Sequence, residues 1–411
     1  VAELVTYQEI LAARARISGG VLVTPCNESV ALSRLVGCRV FCKDEYMQRT
    51  GCFKERGALN ALSLLTGEQK KRGVVAASAG NHALALAYCG QSLGIPVTVV
   101  MPVFAPLIKQ TRCRNFGAKV LLSGQNIGEA KGLADELAAK HGLTYVHGFN
   151  GHDVIAGAGT LGLEIMDQVP DAEVIVVPVG GGGLIAGLGT AVKATHPHVR
   201  IVAVETENAA SYAAAVKAGH PVLANLCPTL ADGLVVPEVG DLAFEMAQKV
   251  VDDLVLVDEE SVALAILRLV ELEKGVVEGA GASPLAALLS KAIPDIQGKN
   301  VVLALCGGNI DPMVLSRVIE HALSSDGRLT QFRAVISDRP GGLAELCERI
   351  AAMGASVKQI LHERAFASAD ISTVEVQCTV ETRDQEHAHQ LLEALKDAGI
   401  PSCPEPHRFV G

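Results

Sequence analysis

The sequence predicts an α/β chain, two parallel-sheet subdomains followed by a smaller antiparallel α+β module. Three observations carry this expectation. From about residue 70 to 310, short β-branched runs recur, each followed by a helical pattern. The runs are continuously apolar, as strands covered on both faces must be. After about residue 330 the pattern changes, and STVEVQCTVET alternates strictly, with Val374, Val376, Cys378 and Val380 on one face.

In chain order, the apolar runs lie in GVVAASAGNH, IPVTVVMP, AKVLLSG, TYVHGFN, EVIVVPVGGGG, VRIVAVETEN and NVVLALCGGN. Ligands of open parallel sheets sit beyond the C-terminal strand ends. That directs attention to Ser78–His82, Gly180–Leu184, Glu205 and Cys306–Asn309. In the last part, the strand FRAVIS, the turn DRPGG, the helix LAELCERIAAMG, the extended SVKQILHERAF, the alternating strand and the helix HAHQLLEALKDAG suit a ferredoxin-like module. SSDGRLTQ, 324–331, reads as a linker. The expected division is a first part over 1–323 and a module over 332–411.

With 411 residues, two or three domains are expected. A formal charge of -10 argues against a nucleic-acid surface, and no run is long and apolar enough to suggest a membrane span. The eleven cysteines show no CxxC pair, the nearest spacing being Cys38 to Cys42. Reduced thiols in a cytoplasmic setting are the expectation, the mature form of an organellar protein being the alternative. The first residues, VAELVTYQEILAARARISGG, read as a helix of the mature protein and not as a targeting leader.

The tetraglycine run supports rival readings. Glycines between strand and helix let backbone N–H groups converge on a phosphate. Gly181, Gly183 and Ala186 also satisfy GxGxxA, with Glu205 about 20 residues on, as in a dinucleotide fingerprint. A tight turn with close helix packing is the third reading. Lys54, in TGCFKERGALN, has a small and apolar approach in Gly51, Cys52 and Phe53, the setting a Schiff-base lysine needs for a neutral amine. A solvated charge is the plainer reading. SAGNH offers a capping Ser78, a turn at Gly80 and Asn81, and an imidazole at His82; it can serve as a turn or as a carboxylate-binding loop.

Taken together, TGCFKERGA, SAGNHALALA, VIAGAGTLGLEI, PVGGGGLIAG and CGGNID resemble the ordered landmarks of fold type II pyridoxal-phosphate enzymes, which share the tryptophan synthase β-like fold, and specifically the threonine/serine dehydratase group. FRAVISDRPGGLAEL resembles the opening of an ACT domain, a module that binds amino acids. The resemblance implies that 1–323 is the catalytic part, with a small subdomain at about 48–150 and a large one from the remainder, and that pyridoxal 5'-phosphate is the cofactor, with Lys54 as its Schiff-base lysine and the catalytic base. Phe53 would pack beside the ring, Asn81 would bond its phenolic oxygen, and Gly180, Gly181, Gly182, Gly183 and Leu184 would hold its phosphate. Cys306 would face the pyridine nitrogen. Ser78, Ala79, Gly80, Asn81 and His82 would receive the substrate carboxylate.

The implied reaction is β-elimination from L-threonine or L-serine, giving 2-oxobutyrate or pyruvate plus ammonia. A serine racemase, a 3-hydroxyaspartate ammonia-lyase, and a non-catalytic amino-acid sensor are the alternatives, with a dehydrogenase more remote. Related racemases carry a second serine where this chain has Ala79, which favours elimination. A cation site would use Glu205 and the Ala209 carbonyl, but Ser211 replaces a second acid, so whether a mono- or divalent cation binds is left open. An effector at Asp338, Gly341 and Gly342, a homodimer or homotetramer, and a hydroxyamino acid substrate complete the expectations.

Overall fold

The computed structural model describes residues 3–362 and 372–404; the end of the expected HERAF extension lies outside them. The chain falls into two compact units, Val1–Asp311 and Pro312–Gly411.

The first unit contains two sheets. The smaller has the order β5-β4-β3-β6, built from β3 (Val74–Ala77), β4 (Val97–Met101), β5 (Lys119–Leu122) and β6 (Thr144–Tyr145), with each neighbouring pair parallel. The larger has the order β1-β2-β10-β7-β8-β9, from β1 (Cys26–Ser29), β2 (Arg39–Lys43), β7 (Val174–Pro178), β8 (Arg200–Thr206), β9 (Asp253–Val257) and β10 (Asn300–Ala304). Only β1 runs antiparallel to its neighbour. All five residues of β7 are buried, as a central parallel strand with helices on both faces requires. The seven runs read from the sequence are all strands; β1, β2 and β9 were not among them.

The helix Lys54–Leu64 crosses the helix His152–Gln168 at very short range. A methyl group at Gly157 would lie 2.6 Å from the Arg56 carbonyl oxygen, and one at Gly57 would lie 2.8 Å from that of Val154. These two glycines allow the backbones to approach and so fix the depth at which Lys54 enters the unit.

Behind this crossing, Arg56 is fully buried between Glu45 and Glu164, each bridged at 2.7 Å. Lys43 adds a contact to Glu164 at 2.8 Å. Burial alone would raise the Glu45 carboxyl, but the adjacent Arg56 charge overrides this and holds it below the ordinary range. The cluster joins the Lys54 helix to β2 and to the helix Glu45–Met47 that follows it.

The second unit has a four-stranded antiparallel sheet, β12-β13-β11-β14, from β11 (Leu329–Ser337), β12 (Ser356–His362), β13 (Thr373–Glu381) and β14 (Ser402–Pro404). With helices Gly342–Ala352 and Gln385–Asp397 between strands, this is the ferredoxin-like order. Val374, Val376, Cys378 and Val380 are buried with Leu346, Ile350, Leu391 and Leu395. The helix Pro312–Ser325 also falls in this unit, so 324–331 holds the end of that helix, a turn and the start of β11. Among the described residues, no helix is long and apolar enough to cross a membrane.

Candidate functional site

Three of the segments singled out in the sequence meet through direct contacts. The Lys54 turn lies against CGGN: Phe53 donates its amide to the Cys306 carbonyl at 3.0 Å, and Cys52 forms a β-bridge with Gly307. SAGNH reaches CGGN through the Asn309 Nδ2 donor, 2.8 Å from Asn81 Oδ1. The same nitrogen donates to the Thr50 carbonyl at 2.8 Å, which closes the triangle.

The tetraglycine loop joins through residues 147–151. Lys54 Nζ donates to the Gly148 carbonyl at 2.6 Å. The next residue, Phe149, lies against the glycines: a methyl at Gly181 would sit 2.2 Å from its ring, and one at Gly183 would sit 2.3 Å from its carbonyl oxygen. Close packing therefore explains two of the four glycines. Gly182, at φ +86°, caps the helix Gly183–Thr195 in the left-handed region. The amides of Gly180, Gly181 and Gly182 find no acceptor among the described residues, leaving three donors at that helix N-terminus.

Lys54 lies inside this enclosure while keeping some accessible surface, and desolvation pushes its amine below the usual lysine range. Nearby imidazoles are neutral: burial lowers His82 to about 3 and His147 to about 4, with the Lys54 charge adding to both. His82 Nε2 is 2.9 Å from the Val146 carbonyl, which fixes that nitrogen as the protonated one, and its buried Nδ1 has no partner. Cys306 is 4% exposed and desolvation keeps it a thiol, the Glu278 charge acting in the same sense. Cys52, also buried, is pushed up to about 12 by desolvation.

Ser78 accepts the Gly80 amide on its hydroxyl at 3.3 Å, at the mouth of the helix Asn81–Leu93. Ala79 is half-buried against the core of the smaller sheet and brings no hydroxyl. Leu184 is buried in the core of the larger sheet.

Glu205 directs both carboxylate oxygens to backbone amides, Tyr212 at 2.7 Å and Ala213 at 2.8 Å, so it caps the helix Ser211–Ala218. The Ala209 amide bonds the Thr206 carbonyl. Among the described residues, no group of three or more His, Cys, Asp or Glu side chains is arranged to hold a metal. In the second unit, Gly341 has φ +105° ahead of the helix Gly342–Ala352, and the Gly342 amide is engaged by the Arg339 carbonyl. Asp338 donates its amide to the Ser372 carbonyl.

One residue at the centre of the site carried no signal in the sequence. Glu278, 4% exposed, accepts from Asn81 Nδ2 at 2.7 Å and from the Asn309 amide at 3.1 Å. It occupies the N-cap of the helix Gly279–Leu289 without capping it. An acid there reads in sequence as an ordinary cap, and the long-range pairing has no local mark.

Residues 17–307 match the model of a family described as pyridoxal-phosphate dependent enzyme. The chain is 44% identical over 392 residues to an L-threonine ammonia-lyase of Thermotoga maritima, covering 95% of this chain and 97% of the relative. Among solved structures it is similar to maize serine racemase, at TM-score 0.74 and 34% identity, covering 79% of this chain and 99% of that one. It is also similar to the processed form of threonine deaminase isoform 2 from Solanum lycopersicum, at TM-score 0.73 and 35% identity, covering 78% and 91%.

Proposed function

The chain belongs to the family of pyridoxal-phosphate-dependent enzymes, and from that premise we propose that it is an L-threonine ammonia-lyase that also accepts L-serine, releasing the 2-oxo acid and ammonia. The observation that carries the reading is the desolvated Lys54 amine, held where the Ser78–His82, Gly180–Gly183 and Cys306–Asn309 segments converge.

The residues fit the cofactor. Three unpartnered glycine amides at a helix N-terminus suit a phosphate, and Lys54, linked to that loop through residues 148 and 149, is a desolvated primary amine for its aldehyde. When bound, pyridoxal phosphate supplies an electron sink for the pair left when the substrate Cα–H bond breaks. Lys54 takes up and returns that proton on Nζ, its lowered pKa leaving the amine free to do so. The first-turn amides of the Asn81 helix orient the substrate carboxylate. Cys306, kept a neutral thiol by burial, would bring no charge to the ring of a bound cofactor, which would favour loss of the β-hydroxyl.

Neutral His82 adds no second cation beside the amine. Ala79 brings no hydroxyl for a second proton transfer, which weighs against the racemase reading. We assign Glu205 a capping role, since each of its oxygens accepts a backbone amide and, among the described residues, no group of three or more His, Cys, Asp or Glu side chains is arranged to hold a metal.

The ferredoxin-like second unit supports an extension, an ACT-like module that receives an amino-acid effector near Asp338 and Gly341 and acts within a homo-oligomer. The direct test is formation of 2-oxobutyrate from L-threonine by the purified protein, with L-serine and D-serine compared by chiral analysis. Turnover lost in Lys54→Ala supports the reading. A wild-type protein that binds the hydroxyamino acids without turnover, or that racemises serine without deaminating it, overturns it.

A further inference from the structure

The hydrogen bonds around Asn81 have a direction. Arg112 Nη1, from the helix Leu107–Asn115, donates to Asn309 Oδ1 at 2.8 Å. Asn309 Nδ2 donates to Asn81 Oδ1, and Asn81 Nδ2 donates to Glu278 Oε1 at 2.7 Å. One end is a guanidinium, which can only donate; the other is a carboxylate, which when ionised can only accept. Between such poles, each carboxamide has one orientation that satisfies all its neighbours. The second N–H of Asn81 Nδ2 finds no acceptor among the described residues, so a donor is left over at the Lys54 site.

We propose that Glu278 is a positioning residue, whose ionised carboxylate orients the Asn81 carboxamide so that it presents an N–H, not a lone pair, to the ligand held at Lys54. The inference rests on the reading of Lys54 as the cofactor lysine, with Asn81 facing the phenolic oxygen.

Protonation breaks the arrangement for a geometric reason. Both groups facing Glu278, Asn81 Nδ2 and the Asn309 amide, are donors, and a carboxylic acid would turn a third donor toward one of them. The Asn309 amide is backbone and cannot reverse. Asn81 can, but then its NH2 meets the Asn309 NH2 and its oxygen faces the ligand. Burial raises the Glu278 carboxyl to about 7, the nearby Asp232 charge adding to this, while Asn81, Lys109 and the Asn309 amide favour ionisation. Lys109 is paired to Asp232 at 3.0 Å. The Cys52 and Cys306 thiols and the Lys54 amine complete the titratable surroundings.

The test is a pH titration of the bound cofactor's absorbance in the holoenzyme, with kcat/KM for L-threonine measured alongside. In wild type the spectrum changes between about pH 6 and 8, following Glu278, and kcat/KM declines on the acid side. In Glu278→Gln the spectral transition disappears and kcat/KM at pH 8 drops about tenfold, because the amide cannot accept from both donors at once. Arg112→Gln, which removes the opposite pole, moves the wild-type midpoint upward by about half a unit and decides the matter if Glu278→Gln does not fold. A transition that persists unchanged in Glu278→Gln overturns the proposal whatever the activity, as do its absence from wild type and an unmoved midpoint in Arg112→Gln. A wild-type protein that shows the transition but makes no 2-oxobutyrate leaves Glu278 its role and rejects the lyase reading.

Discussion

Replacing Arg56 by methionine is the most demanding test of how Lys54 is held. Arg56 lies two residues beyond the lysine, fully buried, with its guanidinium 2.7 Å from both oxygens of Glu45 and 2.7 to 2.8 Å from those of Glu164. Glu45 is itself 0% exposed. Removing one partner of a buried pair costs about 3 to 5 kcal/mol, because the other charge is left in a poorly solvating interior. For a unit of this size that is a fall of roughly 5 to 10 °C in the thermal midpoint.

The loss should also depend on pH. Folding now favours ionised Glu45, a contribution present above its unfolded pKa and lost as pH falls through the lower folded value. Without Arg56 that stabilisation is gone and burial opposes ionisation, so the deficit of Arg56→Met is larger at pH 8 than at pH 5. The assay is thermal unfolding at both pH values, for Arg56→Met, Glu45→Gln and the double variant. The double variant should recover much of the loss, since no bare charge remains at position 45. A deficit below about 1 kcal/mol at pH 8, or a double variant as unstable as the sum of the singles, refutes the reasoning.

Other outcomes follow from single contacts. Gly183→Ala would drive a methyl to 2.3 Å from the Phe149 carbonyl oxygen, a backbone atom that cannot swing aside; a cost of about 1 to 3 kcal/mol in thermal stability and weaker cofactor retention on dialysis are expected, and unchanged behaviour would show that the loop tolerates a side chain. The Glu205 carboxyl, raised by burial to about 7, favours the folded state when protonated, a contribution lost as pH rises through that value. The midpoint of Glu205→Gln relative to wild type should therefore improve between pH 5 and 8, and a constant or reversed difference contradicts its assigned state. If Glu205 is only a cap, added magnesium or calcium should leave the wild-type thermal midpoint unchanged; a rise would place a cation there.

The parts of the fold that were legible are those with local signals. Central strands such as β7 and β10 are buried on both faces and therefore read as apolar runs; the alternation of β13 follows from burial of one face alone. Strand β9 has a largely half-buried face and only five residues. Strand β2 is short and begins and ends on charged residues, Arg39 and Lys43, the second of which is buried among the Thr24 carbonyl and the distant Glu164 and Gln168. Lys54, Asn81 and Cys306 lie in short motifs whose order singled them out, and the structure brings their segments together. Glu278, Arg112 and Phe149 act through partners tens to hundreds of residues away, and nothing in their own neighbourhoods distinguishes them. The tetraglycine run drew attention through its composition alone, whereas the close approach at Gly181 and Gly183 comes from Phe149, which no spacing reveals.

The central claim is that Lys54 carries the cofactor. Borohydride reduction of the purified holoenzyme followed by peptide mass mapping tests it most directly. The account predicts a single pyridoxyl group, on the peptide that contains Lys54. A pyridoxyl group on any other lysine, or none on a protein that retains the cofactor's absorbance, would contradict it.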